Sequence, residues 1–157
     1  MKEVLIVYSR QVYTCLVIQN ERKYKISKAE ANKFKQAITQ LEAQSDTEPW
    51  KIKLQKNAMQ SSLEELEQDL EAYRQLQNSQ APITLTLTSF DQIPNTLIQA
   101  RIAKGWTQAE LARQLGVKPQ QVQNDEMTQY QTANFARLTR VASVLDVKFE
   151  SVKVLVG

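Results

Sequence analysis

Residues 99–126, QARIAKGWTQAELARQLGVKPQQVQNDE, decide the fold, because their apolar, glycine and capping positions fit two short helices packed across a tight turn. Thr107 followed by Glu110 is a capping box, in which each side chain satisfies a backbone donor of the opening turn, so a helix starts at Gln108. Leu111, Ala112 and Leu115 recur at helical spacing on one face, and Ala112 is small where a neighbouring helix must cross closely. Gly116 ends this helix, since glycine takes the left-handed conformation without steric cost and the chain must turn sharply before Lys118 and Pro119. Proline suits a first helical turn, so a second helix runs from about Pro119 to Glu126 with Val122 as its inward anchor. Gln120, Gln121, Gln123 and Asn124 are left largely outside.

Around this pair, Ser89 with Gln92 opens a preceding helix that runs to about Lys104, and Gly105 closes it. Trp106 plugs the corner between the first two helices. After a polar loop from Met127 to Thr132, Phe135, Leu138, Val141, Ala142 and Leu145 mark a final core helix. The unit is a helix-turn-helix, whose second helix can enter the major groove of DNA. Gln120 and Asn124 stand four apart on that helix, hence on one face, and either amide can make a two-point contact with adenine.

On these positions, together with Leu97, Ile98, Arg101 and Ile102, residues 90–146 resemble the Cro and phage-repressor helix-turn-helix family, also called XRE-like regulators. The motif followed by Tyr130 and the helix from Ala133 to Val147 also looks like HigA-type antitoxin regulators, which repress their own operon and neutralise a toxin. The resemblance implies a dimeric, sequence-specific transcriptional regulator whose partners are a double-stranded DNA operator, a second copy of the chain and, for the antitoxin type, a toxin protein. It also implies a structural pair of Arg101 with Glu126, base reading by Gln120, Asn124 and Gln121, and backbone contacts from Gln108 and Lys118.

Asp125 departs from the family pattern, which has an interior-facing aromatic or aliphatic residue there. An unpaired carboxylate does not stay buried, so the helix ends early or Asp125 finds a partner or solvent. The stretch Pro119 to Met127 holds two acids and no base, so DNA affinity rests on neighbours such as Arg113, Lys118, Lys104, Arg137 or Arg140. The same features favour the alternative of a protein-interaction module whose helix-turn-helix has lost DNA readout.

The chain of 157 residues is 42% hydrophobic and 24% charged, as expected of one or two small folded domains. The longest apolar run near the amino end, Val4 to Tyr8, is far short of the ~18 residues of a membrane span. No signal peptide is recognisable, so a cytoplasmic protein without membrane contact is expected. Cys15 is the only cysteine and histidine is absent, which excludes disulfide frameworks, Cys/His zinc sites and His-based catalysis within one chain. Cys15 reads as a small buried hydrophobe. Lys104-Gly105 lacks the upstream glycine of a phosphate loop, and with no nucleophile-base constellation in view neither an enzyme nor a cofactor or metal is expected.

The net charge of +3 is unevenly spread. Residues 1–35 are rich in lysine and arginine, reading as a solvated face or a phosphate contact, whereas Glu64 to Glu71 is acidic. Val4 to Ser9 and Val12 to Ile18 read as a β-hairpin, and Tyr24 to Ile26 as a third strand. Ser27 with Glu30 then opens a helix through Phe34, Ala37, Ile38 and Leu41. After a linker at Ser45 to Trp50, a long helix carries Met59, Leu63, Leu66, Leu70 and Tyr73 in a narrow heptad stripe. The stripe pairs with a second chain or lies on the chain's own domain. Beyond a break at Gln77 to Pro82, Ile83, Leu85 and Leu87 alternate as in a half-buried strand, and Val147, Phe149, Val152, Val154 and Val156 mirror them.

The expected class is thus α+β, mainly α. It comprises a strand-strand-helix unit at 1–44, a linker and long amphipathic helix at 45–80, and at 81–157 a helix-turn-helix domain of four to five helices flanked by short strands.

Overall fold

The computed structural model describes residues 18–43, 48–79, 85, 87 and 89–149. Among them the chain forms six α-helices: α1 (Glu21–Glu42), α2 (Pro49–Gln77), α3 (Ile93–Ala103), α4 (Gln108–Leu115), α5 (Pro119–Met127) and α6 (Phe135–Leu145). A 3-10 turn, Phe90–Gln92, leads into α3. One compact unit carries α1 and α2, and a second carries α3 to α6.

The expected α+β class is overturned, since the described residues contain no strand. Tyr24 to Ile26 lie inside α1 rather than in a third strand. Asn20 is the reason: its side chain accepts from the Lys23 backbone N–H at 2.9 Å and starts the helix well before Ser27, which is buried within it. Three alternating residues carry too little signal to oppose a strong cap. Val147 does not open a strand either, because its N–H closes the end of α6 on the Ala142 carbonyl at 2.9 Å. Leu85, Leu87 and Phe149 are in irregular backbone. The hairpin over Val4–Ser9 and Val12–Ile18 lies outside the described residues except for Ile18, which is buried, and the other positions of the two flanking strands lie outside them too.

In the first unit, Tyr24, Ala31 and Ile38 are spaced by seven along α1, as are Ser27, Phe34 and Leu41, which makes a heptad seam. Along α2 the complementary stripe places Leu63, Leu70 and Tyr73 fully inside and leaves Met59 and Leu66 half-buried. Tyr24 stacks on Tyr73 with ring centroids 5.3 Å apart, Lys35 pairs with Glu67 at 2.6 Å, and Lys56 pairs with Glu42. These contacts descend one helix as they climb the other, so α1 and α2 form an antiparallel hairpin, and the stripe on α2 packs against α1 of its own chain. Burial of each leucine contributes about 1.5–3 kcal/mol, whereas the exposed ion pairs contribute at most about 1 kcal/mol each. The apolar seam therefore holds the hairpin.

In the second unit, Leu97, Ile98 and Ile102 of α3, Leu111, Ala112 and Leu115 of α4, Val122 of α5, and Val141 and Leu145 of α6 make the core. α3 is largely buried, with Asn95, Thr96 and Gln99 withdrawn from solvent along with its aliphatic side chains. Asn134 caps α6 by accepting from the Arg137 backbone N–H at 2.9 Å.

Candidate nucleic-acid interface

The turn that aims α5 is built from three local devices. Thr107 and Glu110 form a complete capping box at the start of α4. The two hydrogen bonds from Thr107 hold the Glu110 carboxyl below the usual carboxylate range. Gly116 takes φ +66°, which lets its own N–H and that of Val117 close α4 on the carbonyls of Arg113 and Ala112. Lys118 is extended at the N-cap, and Pro119 sets the first turn of α5. With Val122 drawn into the core, Gln120, Gln121, Gln123 and Asn124 remain exposed.

The outward face of α5 carries an ordered amide pair. Gln120 Nε2 donates to Asn124 Oδ1 at 3.0 Å. One N–H of Gln120 and its Oε1 remain available, which is the donor and acceptor set that an adenine edge requires. Gln121, Lys118 and Arg113 are exposed around this pair, with Arg113 in the last turn of α4.

Below the surface, α5 is tied down at its far end by two ion pairs from different helices. Arg101 of α3 donates from Nε to Glu126 Oε1 at 2.5 Å and from Nη2 to Oε2 at 2.8 Å, while Nη1 reaches the Trp106 carbonyl at 2.7 Å. Glu126 is fully buried, and Gln108 Nε2 supplies a third hydrogen bond at 2.8 Å. The Gln108 amide thus joins this buried cluster. Arg137 of α6 donates to Asp125 Oδ2 from Nε at 3.2 Å and from Nη2 at 2.9 Å, and both side chains are only 14% exposed. Burial, with the Glu126 and Asp125 carboxylates beside it, raises the Tyr130 hydroxyl far above its ordinary pKa, so the ring between the two pairs stays a neutral phenol.

These ties redistribute the bases that the sequence offers. Arg101 and Arg137 neutralise carboxylates, and Lys104 lies over the Trp106 ring at 4.6 Å while donating to the Leu145 carbonyl at 3.3 Å. Of the basic neighbours of α5, Arg113, Lys118 and Arg140 are exposed, and Lys104 is exposed as well despite these contacts.

A capped helix, a left-handed glycine, a proline-led second helix with outward amides and a core closed by α3 and α6 make a complete motif. The helix-turn-helix family model matches residues 97–152. This segment is a helix-turn-helix domain of the Cro and phage-repressor, XRE-like kind. The helix-turn-helix domain supports a DNA-binding, transcription-regulating role in general terms, and the family is one of regulators rather than of enzymes. Helices α1 and α2 lie outside the match. No curated protein and no solved structure matches the chain.

The Asp125–Arg137 pair is the feature that sequence reasoning missed. Arg137 reads there as a surface base, because its meeting with Asp125 depends on how α6 crosses α5. Among the described residues no helix is long and apolar enough to cross a membrane.

Proposed function

We propose that the protein is a sequence-specific regulator that docks α5 in the major groove and reads base edges with Gln120 and Asn124, while Lys118, Gln121 and Arg113 hold the adjoining strand. The single observation that carries this reading is the exposed Gln120–Asn124 amide pair on a helix fixed from below at Glu126 and Asp125. A reading helix held by two arginines from two other helices keeps its amides in register, and register is what turns hydrogen bonding into discrimination.

The regulator acts as a dimer on a two-fold operator, since two half-sites raise the affinity of so small a domain. Met127 and Phe135, at the end of α5 and the start of α6, are 67% and 73% exposed and offer apolar surface for the second copy. Autorepression in the manner of an antitoxin, with a toxin partner, is the form of this regulation that the resemblance suggests. The Asp125 carboxylate is matched by Arg137, which accounts for that residue within the domain itself.

The test is binding of the full chain to the DNA upstream of its own reading frame. Retention in the presence of random competitor, with affinity falling as salt rises, supports the reading. Equal affinity for that DNA and for random duplex, in a folded protein, overturns it.

A further inference from the structure

The recognition helix holds two acids and no base, and both acids are already engaged by arginines of neighbouring helices. Phosphate contacts dominate the affinity of proteins for duplex DNA. The recognition helix itself therefore supplies no cationic phosphate contact, and binding gains from cations elsewhere in the chain.

Helix α1 carries them. Arg22, Lys25, Lys28 and Lys33 are all exposed; by the helical period Arg22, Lys25 and Lys33 fall on the half of α1 opposite the seam residues Ala31 and Ile38, and Lys28 flanks that face one turn before Ala31. They span about 17 Å of helix axis at 1.5 Å per residue. Lys25 has Glu21 at 3.8 Å, an exposed pair, whereas among the described residues no acid lies within ion-pair distance of Arg22, Lys28 or Lys33. The other acid of this stretch, Glu30, sits at the flank of the basic face. The acids of the hairpin are concentrated on α2 at Glu64, Glu65, Glu67, Asp69 and Glu71, where Glu67 holds Lys35 of α1. Helix α1 thus carries a net charge of +3, six bases against Glu21, Glu30 and Glu42, whereas α2, with Lys51, Lys53, Lys56 and Arg74 against five acids, is close to neutral. The basic face is interleaved with exposed Ala29, Asn32 and Gln36, which leave room for a backbone to approach.

We propose that the outer face of α1 seats on the phosphate backbone of duplex DNA, with Arg22, Lys25, Lys28 and Lys33 as the contacting groups. This rests on the DNA-binding reading above and adds a surface outside the helix-turn-helix domain. The surface reads no bases. It strengthens binding to any duplex.

The experiment measures affinity of the full chain for its upstream duplex and for random duplex between about 50 and 200 mM salt. Replacing all four bases by glutamine, a residue of similar helix propensity, leaves the hairpin folded by circular dichroism. The expected result is weaker binding to both duplexes alike and a slope of log K against log salt flatter by up to about 3.6, at about 0.9 for each phosphate that the variant no longer neutralises. The charge-preserving variant, Arg22→Lys with Lys25→Arg, Lys28→Arg and Lys33→Arg, keeps the wild-type slope. An unchanged slope in the glutamine variant overturns the proposal, as does loss of an acidic-peptide interaction in that variant with duplex binding intact. If wild-type protein binds both duplexes equally and the glutamine variant still flattens the slope, base reading by α5 fails while the α1 contact stands. If it binds neither duplex at low salt, both fail.

Discussion

Arg137 on α6 reaches Asp125 on α5 with two hydrogen bonds, at 3.2 and 2.9 Å, to a single carboxylate oxygen, Oδ2. The pair is mostly withdrawn from water, so each charge depends on the other for compensation. Removing Arg137 strands a half-buried carboxylate. Arg137→Ala is expected to destabilise the helix-turn-helix domain by about 1–3 kcal/mol, the cost of a charged group left without its hydrogen bonds. The double variant Asp125→Leu with Arg137→Leu recovers most of that loss. Urea unfolding of the wild type, Asp125→Leu, Arg137→Leu and the double variant measures the coupling, and strictly additive effects would show that the contact contributes nothing.

The Arg101–Glu126 pair lies deeper and has less tolerance. Glu126 receives hydrogen bonds from Nε and Nη2 of Arg101 and from Gln108. Glu126→Ala leaves the Arg101 guanidinium buried without its counter-ion, for which about 3–5 kcal/mol is expected. Retention of full stability by this variant in a chemical-denaturation experiment would contradict the clamp.

Gly116 isolates backbone strain from packing. At φ +66° an added Cβ meets nothing within 4 Å, so only the left-handed conformation resists substitution. Gly116→Ala is expected to lower stability by about 1–2 kcal/mol, and Gly116→Asn by less, because asparagine tolerates this region better. Equal losses in the two variants, measured by thermal unfolding, would place the cost in side-chain contacts instead.

Much of the helix-turn-helix domain is legible in the sequence because its signals are local. Thr107 with Glu110, Gly116 and Pro119 each act within one turn of chain, and their readings coincide with the observed ends of α4 and start of α5. The hairpin is less legible for the opposite reason. Whether Met59, Leu63, Leu66, Leu70 and Tyr73 meet a second chain or α1 depends on a partner distant in sequence, and Tyr24 reads as a strand residue until Asn20 is seen to cap the helix that contains it. Asp125 shows the same limit within the site. Its place on α5 is readable, but its compensation by Arg137 depends on how α6 crosses α5, which no local pattern encodes.

Asp69 on α2 gives the hairpin a pH signature. Burial, followed by the Glu65 carboxylate, raises its pKa above the ordinary 3.8, and Lys23 opposes the shift. A carboxyl whose folded pKa is raised binds its proton more tightly in the folded state, so ionised Asp69 costs stability above that pKa. The cost disappears as pH falls below the unfolded value. Asp69→Asn is therefore expected to raise the melting temperature near neutral pH and to make no difference below 3.8. Thermal unfolding across this range checks the sign, and an advantage growing toward acid would be the wrong one.

Gln120 and Lys118 separate the two ways in which the domain can hold DNA. Gln120 spends one N–H on Asn124 and keeps a donor and an acceptor facing outward, so its contribution depends on the base it meets. Lys118 is an exposed point charge at the N-cap of α5, so its contribution depends on phosphate alone. Gln120→Ala is expected to relax preference at one operator position by about 1–3 kcal/mol without altering the salt dependence. Lys118→Ala is expected to weaken all duplexes alike and to flatten the salt slope by about 0.9. Asn124→Ala should also reduce discrimination at the Gln120 position, because it releases the amide that orients Gln120. Binding measured against a set of single-base operator variants at two salt concentrations tests all three, and indistinguishable profiles for Gln120→Ala and Lys118→Ala would refute the division of roles.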